Sequence, residues 1–187
     1  MDHLLIMLSA NQLPEPAIEV RRHADLCLER GQAEILHTLK PEHGVDPESV
    51  QRRLVPGQSR VTCYGSGHRY GHRVIGQGVF ESIVDYRRLR EEEREAFLER
   101  NSIYAKGHHP ATVVAILRLS GFRTCWVALD VLGERGATFD DGSPVARENL
   151  PMPYQSRTAL FYTTEAADTA DVVGPEDDDP LAGFEGA

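Results

Sequence analysis

Thr112-Val113-Val114-Ala115-Ile116-Leu117-Arg118-Leu119-Ser120-Gly121-Phe122-Arg123-Thr124-Cys125-Trp126-Val127-Ala128-Leu129-Asp130-Val131-Leu132 carries the strongest structural signal in the chain. It divides into two apolar, β-branched runs, Thr112 to Ser120 and Arg123 to Leu132, separated at Ser120-Gly121. In the second run Cys125, Val127, Leu129 and Val131 alternate, as they would on one face of a strand. Two such runs joined by a short glycine-containing turn predict a β-hairpin. Downstream, Phe139-Asp140-Asp141-Gly142 is a turn signal, and Pro144, Pro151 and Pro153 mark an irregular return. Thr158 to Thr164 reads as a last strand.

Upstream of the hairpin, Val79 to about Ala105 reads as one long helix, broken near Tyr86, with Arg87–Glu91 and Arg88–Glu92 as i,i+4 pairs on a solvated face. Before it lies a glycine-rich stretch, Gly65-Ser66-Gly67-His68-Arg69-Tyr70-Gly71-His72-Arg73, with Gly76 and Gly78 just beyond. Arg60 to Tyr64 reads as a strand leading into that stretch. In the N-terminal part, residues 4–8 fit a buried strand or a short helix. Pro16 opens a helix that Gly31 ends, with Ala17, Val20, Ala24, Cys27 and Leu28 at helical spacing. Ile35, Leu36 and Leu39 continue as a helix or an edge strand. Asp46-Pro47-Glu48 starts a further short helix that ends by Pro56-Gly57. The expected class is therefore α+β. It has N-terminal helices, a central glycine-rich loop and long helix, a C-terminal antiparallel hairpin or sheet, and a disordered acidic tail.

The chain has 187 residues, which at ~150 residues per domain fits one domain. We expect that domain to span 1–164, with residues 165–187 as the tail. Residues 165–187 hold eight acidic side chains and no Lys or Arg, so of the net charge of −9 only −1 falls on residues 1–164. A nearly neutral folded part gives no general support for nucleic-acid binding. No apolar run approaches the ~20 residues of a membrane-spanning helix, and the acidic, short N-terminal stretch does not read as a signal peptide. Cys27, Cys63 and Cys125 are odd in number and lack a CxxC pair, which fits a reducing cytoplasm. Only Lys40 and Lys106 are lysines among the 20 basic residues, an arginine bias that suggests a bacterial or phage source.

Two kinds of chemistry have candidates. His68 and His72 form H-x3-H, and His108-His109 form a second imidazole pair. With an acid such as Asp141 these supply the three or four donors that Zn²⁺ needs, and no other cofactor is called for. Gly65, Gly67, Arg69 and Arg73 could cradle an anion, because glycines let backbone N–H groups approach a phosphate. That stretch lacks the third glycine of GxGxxG, and no GK[ST] follows. No G-x-S-x-G or Cys/His nucleophile setting is present.

Thr138-Phe139-Asp140-Asp141-Gly142 resembles the TFDDG motif of NodB-type polysaccharide deacetylases. The resemblance implies Asp140 as base and Asp141 as metal ligand, with His68 and His72 completing the site. It covers about ten residues. The family places its histidines after TFDDG, whereas here they precede it, and Arg69 stands where the family has Ser or Thr. A turn between strands accounts for Asp140 to Gly142 without chemistry. In the tail, Asp177-Asp178-Asp179-Pro180-Leu181-Ala182-Gly183-Phe184 resembles the acidic, aromatic-containing tips of bacterial single-stranded-DNA-binding proteins, which implies docking to a basic pocket of a partner.

These readings lead to a cytoplasmic, non-enzymatic interaction or assembly protein of phage or mobile-element type. It would contact a protein partner through the tail and no membrane. Two alternatives stand beside it: a metal-dependent hydrolase using His68, His72 and Asp141, and a nucleic-acid-binding protein with Arg69 and Arg73 on phosphates and an acidic tail.

Overall fold

The computed structural model describes residues 1–12, 14–104, 113–150, 158–164, 170–172 and 181. Along the chain run β1 (Asp2–Leu8), α1 (Pro16–Arg30), β2 (Ala33–Thr38), α2 (Pro47–Arg53), β3 (Arg60–Gly65), β4 (Arg73–Asp85), α3 (Glu91–Arg100), β5 (Val114–Ala128), α4 (Asp130–Glu134), β6 (Thr138–Phe139) and β7 (Ala159–Tyr162). The strands form one mixed seven-stranded sheet in the order β2-β5-β4-β3-β1-β7-β6. Its one parallel pairing is β1 with β3, and every other pairing is antiparallel.

This arrangement overturns the class read from the sequence. Helices are not gathered at the N-terminus and strands at the C-terminus, because β1 opens the fold and strands and helices are interspersed along the chain. The expected hairpin at Ser120-Gly121 is absent, and β5 runs through it as one strand. A two-residue hairpin turn of the favoured kind needs positive φ at both or at the first central position, in a geometry that reverses the chain. Here Gly121 alone, at φ 53°, takes up a bulge: Gln77 opposes Arg123 and Val79 opposes Ser120, so β5 carries an extra residue. The lower half of β5 pairs with β2 and its whole length with β4. That pairing on both sides is what the sequence does not show.

The expected long helix is also replaced. Val79 to Asp85 is the second half of β4, and Tyr86–Arg88 is a single 3-10 turn that ends in extended backbone at Leu89 before α3 starts. Because the helix does not continue through this turn, the pairs Arg87–Glu91 and Arg88–Glu92 do not form. Arg87 binds Asp85 at 2.8 Å, and Arg88 reaches Asp85 at 3.7 Å and Glu48 at 3.4 Å. The glycine-rich stretch is no central loop. It is the turn between β3 and β4, and Gly76 and Gly78 lie inside β4. Of the tail, Ala170, Val172 and Leu181 are buried and Asp171 pairs with Arg60, contrary to disorder at those four positions.

The α1 helix starts where chemistry allows. Pro16 occupies the first turn, the Glu15 carboxylate accepts from the backbone N–H of Ala17 and Ile18, and Gly31 ends the helix. Its buried residues are Pro16, Ala17, Glu19, Val20, His23 and Leu26; of the stripe read from the sequence, Ala17 and Val20 are buried, Ala24 and Cys27 pack against the core half-buried, and Leu28 is 87% exposed. Asp46 caps α2 by accepting from the N–H of Glu48 and Ser49, while the Ser49 hydroxyl takes the N–H of Asp46.

One core, on the side of α1 and α2, gathers Leu4 and Ile6 of β1, Ile35 of β2, Cys63 of β3, Ile75 of β4, Leu117 of β5 and Leu160 of β7 around Val20 and Val50. The sheet curls around this core until its ends approach. His37 of β2 lies 3.3 Å from the hydroxyl of Thr158, which leads into β7. Phe122 lies flat across β4, where a Cβ at Gly76 or Gly78 would stand 2.6 or 2.9 Å from its ring. Only glycine leaves room for that ring. A second core on the opposite face joins Leu5, Tyr64, Val74 and Cys125 to Leu129, Leu132, Phe139 and Phe161. A third packs α3 through Phe97 onto Leu36, Val114 and Ile116.

β1 is locked to the β7 region by a buried histidine. The N–H of Arg60 donates to His3 Nδ1 at 2.9 Å, which fixes the proton on Nε2, and Nε2–H donates to the Thr163 hydroxyl at 3.0 Å. Burial, aided by the terminal ammonium and Arg60, lowers the His3 pKa to about 4. The unfolded chain, with an ordinary value near 6.5, takes up a proton that the folded state refuses until about pH 4. Stability therefore rises with pH across that window, and acidification from pH 7 to 4 is expected to remove roughly 3 kcal/mol. Urea titrations at several pH values check this, and His3→Gln should flatten that part of the profile.

Candidate functional site

Three polar constellations emerge from this frame. The first is inside, on α1. Glu19 is 2% exposed and His23 fully buried. The Gln12 amide donates to Glu19 Oε2 at 2.6 Å, and the Tyr104 hydroxyl donates to Oε1 at 2.6 Å. Since the phenol proton goes to Glu19, His23 Nε2–H is the donor to Tyr104 at 2.7 Å. The ring of His23 stacks on Tyr104 and meets the edge of Phe122. Burial and then the charge of Glu19 hold the Tyr104 hydroxyl well above its usual range, and burial with Glu19 does the same to the Cys63 thiol. Glu19 is thus the hub of a chain of hydrogen bonds tying α1 to the segment after α3.

The second lies at the carboxyl ends of parallel β1 and β3, where the turn of residues 66–72 packs beside the loop entering α1. The Tyr70 ring covers Gly65, and its hydroxyl accepts from the N–H of Ala17 at 3.2 Å. Arg69 pairs with Glu15 at 3.6 Å, and Arg73 lies over the Trp126 ring at 5.4 Å. Of the anion-binding candidates, Gly65 is buried under Tyr70, Gly67 is in the turn, and both arginines contact protein groups. The donors of the α1 N-terminus that would attract an anion already serve Glu15 and Tyr70.

The metal candidates are spread out. His68 is exposed; His72 is buried at φ 58° and stacks on Tyr64; His108 and His109 lie outside the described residues. Asp141 makes the turn it sits in, accepting from the Ser143 N–H and hydroxyl. Asp140 joins Asp2 around Arg53, which donates two hydrogen bonds to each carboxylate at 2.6 to 3.0 Å. These bonds, to Asp140 first, raise the Arg53 pKa further. Among the described residues no group of three or more His, Cys, Asp or Glu side chains is placed to hold a metal ion, and no helix is long and apolar enough to cross a membrane.

The third constellation is a groove on the second-core face, a cleft of about 260 Å³ lined by Arg60, Gln77, Gly78, Arg123 and Asp171. Gln77 of β4 is 2% exposed and saturated. Its amide nitrogen donates to Thr62 and to the Ala170 carbonyl, both at 2.7 Å, and its oxygen accepts the N–H of Val172 at 3.0 Å. Arg60 pairs with the Asp171 carboxylate at 3.5 Å, and Arg135 donates to the Asp171 carbonyl at 2.5 Å. Ala170 and Val172 are buried in the second core while Asp171 points outward, the alternation of an extended strand.

Sequence reasoning missed Gln77, Arg60 and Arg135, and likewise Gln12, Glu19, His23 and Tyr104. The available signals were small. Gln77 sits between two glycines, and Glu19 and His23 stand i,i+4 on the face that carries Val20. No family model, curated protein or solved structure matches the chain.

Proposed function

We propose that the protein works by binding other proteins, as a non-enzymatic interaction module of the cytoplasm. The observation that carries this reading is the groove around Gln77. A side-chain amide there takes both the carbonyl and the N–H of a segment outside the sheet, groups that nearly every residue of a peptide carries whatever its side chain. Three free thiols suit the compartment. The test is a panel of extended peptides, titrated into the full chain and read by fluorescence anisotropy. Binding of at least one class is expected, weakened about tenfold or more by Arg60→Ala. Absence of binding across the panel would remove the reading.

A second reading is favoured by the stacked Arg73 and Trp126 beside exposed His68 and Arg69. An arginine and an aromatic ring on one surface suit stacking of nucleobases along a charged backbone. Trp126 is the one tryptophan of the chain, so its emission reports directly. If this surface binds single-stranded DNA, titration should quench Trp126 with a steep salt dependence that Arg73→Ala reduces.

A further inference from the structure

We infer that the groove around Gln77 is a recognition site for an extended peptide of the pattern small–acidic–branched apolar, and that Ala170-Asp171-Val172 occupies it in cis as an internal competitor. The inference rests on the interaction-module reading and gives that module its partner chemistry. Three features define the pattern. The position of Ala170 is fully buried against the second core, so a small side chain is read there. The middle position faces Arg60, and Arg123 lines the same cleft, so a carboxylate is read there. The third position is buried in the same core, so a compact branched side chain is read there.

Backbone recognition is independent of these side chains. Gln77 supplies a donor and an acceptor to residues two apart, and Arg135 holds the carbonyl between them. The Ala170 carbonyl can only accept and the Val172 N–H can only donate, which fixes which atom of the Gln77 amide donates and which accepts. A partner segment with the same pattern would offer the amide the same carbonyl and N–H. It would first have to displace the chain's own segment, whose tether gives it an effective concentration in the millimolar range.

The experiment uses the full chain, labelled with ¹⁵N, and an unlabelled capped peptide of residues 166–175, Ala-Ala-Asp-Thr-Ala-Asp-Val-Val-Gly-Pro. The peptide is expected to drive the Val172 amide signal away from its position in the intact protein, with half the effect at about 1–10 mM. The same peptide with lysine in place of the central aspartate should leave the signal where it was. In Asp171→Lys the internal competitor is weakened, and the wild-type peptide should bind at least about tenfold more tightly. Gln77→Ala should increase exchange of the Val172 amide at least about tenfold without peptide.

A Val172 signal unmoved at about 20 mM peptide, together with no gain in Asp171→Lys, overturns the inference even if Gln77→Ala does not fold. Binding of other peptides with Val172 unmoved overturns it and leaves the interaction module standing. Binding of none overturns both.

Discussion

Glu19→Ala is expected to lower the free energy of unfolding by roughly 2–4 kcal/mol. Removing the hub leaves the Tyr104 hydroxyl and the Gln12 amide without their acceptor, and the hydroxyl is buried too deeply for water to compensate readily. Tyr104→Phe deletes the middle of the chain but keeps the ring that stacks on His23 and Phe97, so it should cost less, about 1–2 kcal/mol. Denaturant titrations of both variants give the comparison. A Glu19→Ala protein within about 1 kcal/mol of the parent would show that the network adds nothing to the fold.

Phe122→Ala should cost about 3–5 kcal/mol, because the ring fills the gap between α1 and the glycines of β4. The glycines offer a control that burial alone does not. Gly76→Ala places a methyl 2.6 Å from the Phe122 ring and 3.2 Å from Val20, and overpacking of this kind typically costs 1–3 kcal/mol. In the double variant Phe122→Ala, Gly76→Ala the new methyl occupies part of the void. The two effects should then fall short of their sum, by about 0.5 kcal/mol or more. Strict additivity would mean that the ring does not lie on the glycines.

The sequence is legible where the physics is local. The residues that cap α1 and α2, Pro16, Gly31 and the Asp46-Pro47 pair, are short-range signals, and the helices end at them. It is not legible where one residue type serves two purposes. Ser120-Gly121 carries turn chemistry, yet a single positive-φ glycine serves equally well as a bulge, and only the pairing of β5 with β2 and β4 decides between them. Val79 to Asp85 could extend a helix by composition, and its place beside β5 makes it a strand. The Asp140-Asp141 pair has the look of a reactive site, whereas Arg53, distant in sequence, and Ser143, two residues on, take up its oxygens. The Gln77 groove has no motif because two of the three bonds of Gln77 go to backbone groups, and a glutamine between glycines carries no class of chemistry in its name.

The placement of β1 has a consequence for how the protein is made. This strand leaves the ribosome before either of its neighbours, β3 and β7, and β7 is separated from it by some 150 residues of chain. Until β7 emerges, Leu5 and the second-core face of β1 lack the cover of Ala159 and Phe161, and one edge of the strand presents unpaired N–H and C=O groups to any other nascent chain. Synthesis at 5–20 residues per second would keep that edge open for roughly eight to thirty seconds. β1 is thus the strand that waits longest for a neighbour, and on this edge it waits until β7 is made.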